Sequence, residues 1–420
     1  MQRRSGHLTT TVLCHRDLET WQFPALLPFY PELGKSLLAY RERVLPAAKD
    51  RARQFGWAGA LFPWESAVSG QNVCPWALGA DFEQHITGDV AMAVRQQYYF
   101  TRDTDWLKNH GWPLLQAAAE FWASRVVLDT ASGNYTVKGV VAPDESAGKV
   151  DDEAYTNAVA ASTLSFAIEA AAVVGAEAGS NWSTIASKPF LPLRDDLLSG
   201  FMIHSQDATY QKGQMITQSD VGLLQYPLEV SGIDDSVKRG DLLYYESVTN
   251  PDGYYTGDSS YSIAWLALGN RTAADAQFAR TFLYLNGLPN NVVVAPHYNP
   301  FNVWKEAATS GKHLNFLTGA GGFLQNIIQG YAGLRARSNI LQLNPSLPPH
   351  AQRLSLVRLS YAGAQFSVDF NSTTVQVTLE EAPAEGKTIL LLQSGGVKTN
   401  LTERTVATFN RSIFELSVVD

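Results

Sequence analysis

The chain has 420 residues, 45% of them hydrophobic and only 17% charged, which excludes a disordered protein and fits one large domain plus a smaller one, or two to three ordinary ones. Its net charge of −8 is spread along the chain with no basic run, which argues against nucleic acid as a partner. No apolar stretch reaches the ~18 residues of a membrane span, so no membrane partner is expected.

In chain order, "CHRDLETW" places Asp17 and Glu19 just before a helix. "PELGKSLLAYRERVLPAAKDRARQFG" then has helical spacing interrupted by Pro46, and "FPWESAVSG" sets Trp64 beside Glu65. Helices are predicted for "HITGDVAMAVRQQYYF", for "DTDWLKNHGWPLLQAAAEFWASRVVLD" with its Asp/Thr cap, and for "AYTNAVAASTLSFAIEAAAVVG". Between the last two, "VKGVVAPDESAGKVDDEAYTN" runs through Pro143 into Asp144 and Glu145, two carboxylates at the end of an apolar segment. Further helices follow in "SVKRGDLLYYESVT", "SSYSIAWLALG", "TAADAQFARTFLYLNG" and "LTGAGGFLQNIIQGYAGL". Their Ala and Gly content allows close backbone approach, and many are apolar on more than one face, as inner helices must be.

From about Asn339 the period changes to two. "LSLVRLSYAG", "AQFSVDFN", "TTVQVTLEE", "TILLLQSGG" and "RSIFELSVVD" read as short strands punctuated by Gly, Asn and Pro. The expected organisation is a helical unit over residues 1–338 and an antiparallel β unit over 339–420.

Ten Trp and 17 Tyr suit a carbohydrate site, because sugar rings offer C–H faces to indoles, although most such residues fill cores. Three motifs place carboxylates beside aromatics: Asp17 in the first, Glu145 in "APDESAG", and Glu306 in "FNVWKEAATSGKHLNFLTGAGG" next to Trp304. Glycosidic cleavage commonly uses two carboxyl groups, one protonated and one ionised. Burial beside aromatics keeps a Glu a usable acid near neutrality. Each motif alone also reads as helix capping or surface charge. Nucleophile-elbow, Walker and H-E-x-x-H motifs are absent from the sequence, and no metal ligand set stands out. His85 and His313 read as hydrogen-bonded structural groups, and "GAGG" at 319–322 as helix packing or a loop close to a substrate. Six Asn-X-Ser/Thr sequons, at Asn134, Asn181, Asn270, Asn371, Asn400 and Asn410, point to a secreted or lysosome/vacuole-like glycoprotein. The opening residues show no signal-peptide core, so the true N-terminus is expected to lie upstream. Cys14 and Cys74 could pair in one disulfide.

Taken in order, "RDLETWQFPALLPFYPE", "FPWESAVSGQNVCP", "EQHITGDVAMAV", "AAAEFWASRV", "VAPDESAG…DDEAYTN", "TQSDVGLLQYPLEV" and "HLNFLTGAGGFLQNIIQGYAGLR" resemble glycoside hydrolase family 65, from about Asp17 to about Phe370. The resemblance implies a mainly α fold, an (α/α)6 barrel followed by a small C-terminal antiparallel β domain. It implies inverting cleavage of a terminal α-glucosidic bond, of trehalose or glucosyl-galactosyl-hydroxylysine type, with no cofactor. A small carbohydrate or glycopeptide is the expected partner, and a homodimer is common in the family. By motif match Glu145 is the general acid and Glu306 the base that activates water, which favours hydrolysis over a family phosphorylase. Asp17 matches the Trp-Asp pair that holds glucose, and Gln218 the Lys-Gln pair. Arg16 and Thr217 depart from those pairs, so a stacking plane and a charged donor are missing from the glucose pocket. An inactive sugar-binding homologue is the further alternative. The family's leading β-sandwich and the first barrel helix are expected to be absent from this chain.

Overall fold

The structure, a computed structural model, describes residues 14–15, 17–196, 200–251, 256–281, 316–383 and 387–419. Arg16, Trp304, Glu306 and His313 lie outside the described residues.

At Asp17 the chain enters a π-turn, Leu18–Gln22, that passes directly into the helix Phe23–Leu26. Glu19 in this turn is 2% exposed and receives Nε of Arg41 at 2.6 Å and Nη2 at 3.0 Å. Arg41 comes from the helix Pro31–Gln54 and is itself buried against the Phe62 ring. Two hydrogen bonds in fork geometry offset the desolvation that so enclosed a pair suffers. The expected interruption at Pro46 does not occur, since this helix runs unbroken through it. Pro46 sits on the exposed side, where water can take the carbonyl that its missing N–H leaves unbonded.

Helices Ile86–Thr101, Trp112–Arg125 and Ala154–Val174 pack on one another through small residues. A Cβ on Gly88 would come within 2.5 Å of Val159, so this crossing requires glycine. Asp103 caps the turn between the first two by accepting from the Trp106 amide at 2.8 Å. The Ala154–Val174 helix qualifies the expectation about apolar length: its 21 residues meet the length and composition of a membrane span. Here it is a core helix, with Thr156, Asn157 and Thr163 buried along it. Helices Asp220–Gln225, Asp235–Val248, Thr256–Ala267, Arg271–Arg280 and Leu317–Gln325 complete the described part of an (α/α)6 barrel. "GAGG" is helix packing: a Cβ on Gly321 would lie 2.3 Å from the Trp21 carbonyl oxygen.

The strands of the two larger sheets begin at Arg335–Ala336, which pairs with Leu341–Leu343. Two antiparallel sheets follow. One has the order Lys398–Leu401, Thr388–Gln393, Phe414–Val419, Leu341–Leu343, Arg335–Ala336. The other is the meander Arg353–Tyr361, Ala364–Asn371, Thr374–Glu381, closed by Val406–Asn410. Alternate residues are buried along Ala364–Asn371 (Ala364, Phe366, Val368, Phe370), the period-two pattern of a one-sided sheet. The β region is tied to the barrel by backbone bonds, Ser360 N–H to the Pro28 carbonyl and Ala362 N–H to the Phe100 carbonyl, both 2.7 Å.

Replacing Gly321 by Ala is expected to lower unfolding stability by about 1–3 kcal/mol, the usual penalty of overpacking. Gly257→Ala is expected not to lower it, because the nearest neighbour among the described residues, the Tyr261 ring, would be 4.0 Å away. Denaturant midpoints of the two variants check this; equal midpoints would contradict it.

Candidate active site

The segment 137–157 folds as a hairpin. Val140–Val141 pairs with Lys149–Val150, and the turn Glu145–Ala147 forms its tip. Asp144 caps that turn, accepting from the Ser146 amide at 3.2 Å and the Ser146 hydroxyl at 2.6 Å. Its other oxygen accepts from the Thr217 amide at 3.2 Å and Gln206 Nε2 at 3.4 Å. Its own N–H donates to Asp220 Oδ1 at 2.7 Å. Asp144 is 1% exposed, so these donors replace the water that it has lost. Gln218 gives its amide to the Pro143 carbonyl and accepts from the Thr256 hydroxyl at 3.1 Å. The 216–220 stretch is thereby stitched to both residues that precede Glu145. Glu145, one position on, is only half-buried at the tip.

Three carboxylates gather around Cys74. Burial pushes its thiol up to about 11, and the charges of Glu65, Glu83 and Glu145 add to the shift. Cys74 is a free buried thiol, its sulfur 3.4 Å from the carbonyl oxygen and from the amide of Trp76. Trp76 meets Trp64 edge to face at 5.8 Å, and both indoles stay partly exposed. Gly79 is needed there, because a Cβ would fall 2.5 Å from the Trp76 ring. The short strand Glu65–Ser66 pairs with Cys14–His15, which brings the chain entering Asp17 alongside Trp64 and Glu65. Asp17 is buried and accepts from the Thr318 hydroxyl at 2.9 Å.

Beneath this lies a buried layer of acids. His85 Nδ1 is 2.7 Å from Asp89 and Nε2 is 3.3 Å from Glu83. Burial opposes the imidazolium, but the two carboxylates outweigh it and raise the pKa to about 9. The Tyr155 hydroxyl donates to the other Asp89 oxygen at 2.7 Å. Glu153 caps the Ala154–Val174 helix through the Tyr155 and Thr156 amides at 2.7 and 2.6 Å. Burial nevertheless lifts its carboxyl to about 7. Asp220 is fully buried and well above the carboxylate range, first through burial and then through the charges of Glu153, Asp144 and Asp207.

Of the residues singled out from sequence, the structure gathers Trp64, Glu65 and Glu145 about Cys74, and places Thr217 and Gln218 against the loop that carries Glu145. Asp17 enters beside them through the strand pairing. Sequence reasoning missed the Asp144 clamp, Gln206, Glu153 and Asp220. Only Glu153 carried a local signal, a carboxylate directly before a long helix.

Residues 13–214 match the profile of the glycosyl hydrolase family 65 central catalytic domain, and 334–391 that of the family's C-terminal domain. The chain is 35% identical over 397 residues to protein-glucosylgalactosylhydroxylysine glucosidase of Danio rerio, covering 94% of this chain and 58% of that protein. It is 38% identical over 345 residues to kojibiose hydrolase of Flavobacterium johnsoniae, covering 81% and 48%. The chain thus spans about half the length of the curated relatives it matches. Among solved structures, a putative kojibiose phosphorylase from the human microbiome superposes at TM-score 0.75 and 19% identity over 95% of this chain and 56% of that one, a likeness of fold.

His85 provides a test of the buried layer. Its folded pKa of about 9 exceeds the ordinary 6.5, so its contribution to stability is complete below pH 6.5 and lost as pH rises through 9. Glu153, raised from 4.5 to about 7, acts with the same sign in the lower window. The melting temperature is expected to fall between pH 6.5 and 9, and His85→Gln to flatten that fall. An unchanged slope in the variant would refute the assignment.

Proposed function

The chain belongs to glycosyl hydrolase family 65, and from that membership we propose that it is an inverting glycosidase that releases glucose from a terminal α-glucosidic bond. The substrate class that fits best is a disaccharide or glycopeptide of the kojibiose or glucosylgalactosyl-hydroxylysine kind, as the names of the relatives suggest. Trehalose is the less favoured substrate.

The observation that carries this reading is the placement of Glu145. Its neighbour Asp144 is locked by donors from three separate segments, so Glu145 is held at a half-buried hairpin tip. Glu65 and Glu83 share with it the charge field about Cys74, and the two partly exposed indoles of Trp64 and Trp76 stand next to that thiol. In that place a protonated carboxyl can hand its proton to the departing glycosidic oxygen, while a second carboxylate on the other face of the ring activates water. The resemblance assigns that second role to Glu306, and the pair is expected at ~6.5–9.5 Å, the separation of inverting enzymes. Asp17 and Glu65 supply acceptors for sugar hydroxyls, and Trp64, with Trp304 by motif, supplies apolar faces for C–H contact. Arg16 belongs to the same pocket by motif. Thr217 and Gln218 act on the acid indirectly, through the Asp144 carboxylate and the Pro143 carbonyl.

A secreted or lysosome/vacuole-like location is part of the reading. None of the six sequon asparagines is buried, as glycan transfer to a folded surface requires.

Kojibiose, nigerose, trehalose and glucosylgalactosyl-hydroxylysine are the substrates to assay, with the anomer of released glucose followed by NMR. β-Glucose is expected first, and Glu145→Gln is expected to lower turnover by roughly 10²–10⁴-fold with an unchanged circular dichroism spectrum. Full activity in Glu145→Gln would overturn the proposal. So would glucose 1-phosphate as the sole product in phosphate buffer.

A further inference from the structure

The peptide plane between Pro143 and Asp144 leads into Glu145, and one short segment holds both of its edges. The Pro143 carbonyl accepts from Gln218 Nε2, and the Asp144 N–H donates to Asp220 Oδ1 at 2.7 Å. Both partners lie on 218–220, where the Ser219 hydroxyl caps the helix Asp220–Gln225 by accepting from the Gly222 amide at 2.9 Å. A turn of that plane would swing the backbone that carries Glu145. Asp220, wholly buried, is thus placed to orient the candidate acid without meeting a substrate.

The hydrogen bonds also discriminate between the two forms of Asp220. Its strongest charged neighbours are Glu153, Asp144 and Asp207, all acidic. Each of these is well supplied with donors. Glu153 accepts from the Tyr155 amide and from the amide and hydroxyl of Thr156. Asp207 accepts from the amide and hydroxyl of Thr209 at 2.7 and 2.6 Å, and Asp144 from Ser146, Thr217 and Gln206. Asp220 has the Asp144 amide on Oδ1, while its Oδ2 is buried without a donor. The carbonyl oxygen of Gln206, on the far side of Asp144, is buried without one too. Acceptors are left over here and a donor is lacking, which a proton on Asp220 supplies. Cations nearby are engaged elsewhere. His85 lies between Glu83 and Asp89. On the other helices packed against 220–225, His204 holds Asp241 and Arg280 holds Asp258.

We infer that Asp220 is a positioning residue for Glu145 and that it works as a neutral carboxylic acid. A neutral group holds the Asp144 amide without setting one more charge beside three carboxylates. The positioning role rests on the reading of Glu145 as the acid; the protonation state does not.

Melting temperatures of the parent and Asp220→Asn across pH 4 to 7 test the protonation state alone. A folded pKa held above the ordinary 3.8 makes the parent lose stability as pH rises, because only its unfolded chain ionises there, and asparagine removes that loss. The difference, variant minus parent, is expected to rise with pH; a flat or falling difference would overturn the neutral acid. Kinetics test the positioning. Asp220→Ala is expected to lower kcat about tenfold or more with KM little changed, and Asp220→Asn to recover most of that loss. The alkaline limb of the Asp220→Asn pH profile is expected where the parent has it. A limb moved to lower pH, the effect of removing an ionised neighbour, would overturn the inference, as would parental kcat in Asp220→Ala. Full activity in Glu145→Gln, assayed beside them, would remove the positioning role together with the acid, while the melting result still decides the form of Asp220.

Discussion

A buried carboxylate that must be hydrogen-bonded is the constraint on which the site rests. Asp144 has lost its water, and Ser146, Thr217 and Gln206 donate to it in its place. Those donors come from the hairpin tip, from the stretch after residue 213 and from the loop that ends the Phe201–His204 strand. Satisfying one side chain therefore fixes three segments relative to one another. The exchange is closed by the Asp144 amide on Asp220, a carboxyl that burial and its acidic neighbours hold toward the protonated form. Glu145 follows directly on this knot, which fixes the backbone that leads into it.

The helical frame explains why acids can crowd there. Amides at a helix start are unpaired, and the aligned peptide dipoles favour negative charge at that end. Glu153 uses this at Ala154–Val174, with both its oxygens on free amides. Ahead of Ile86–Thr101, His85 supplies a positive charge between Glu83 and Asp89. Gly88 against Val159 and Gly321 against the Trp21 backbone bring helices close enough to leave little slack beneath the site. The other end of Ile86–Thr101 meets the β sheets, so the two ends of that helix differ in chemistry.

Much of this was legible in the sequence. The change of period from 3.6 to 2 near residue 339 reflects which faces are buried, and the strands of the two larger sheets all lie at or beyond Arg335. The Asp103 cap and the "GAGG" packing are local devices with local signatures, and both are present as expected. What could not be read was nonlocal. The partners of Asp144 lie 62, 73 and 76 residues away, and spacing in one dimension says nothing about them. The unbroken helix at Pro46 depended on exposure, which the periodicity did not reveal. The reading of apolar stretches passed over Ala154–Val174, whose alanines are apolar enough for lipid and small enough for a crowded core.

The most direct measurement is the kinetics of Asp144→Ala beside Asp144→Asn on the best substrate of the panel. If Asp144 positions the acid, the alanine variant loses kcat on the order of a hundredfold, the penalty of a misplaced catalytic group, while KM moves little and asparagine restores part of the rate. A folded Asp144→Ala protein with the parental kcat would show that Glu145 needs no such anchor, and the account would fail.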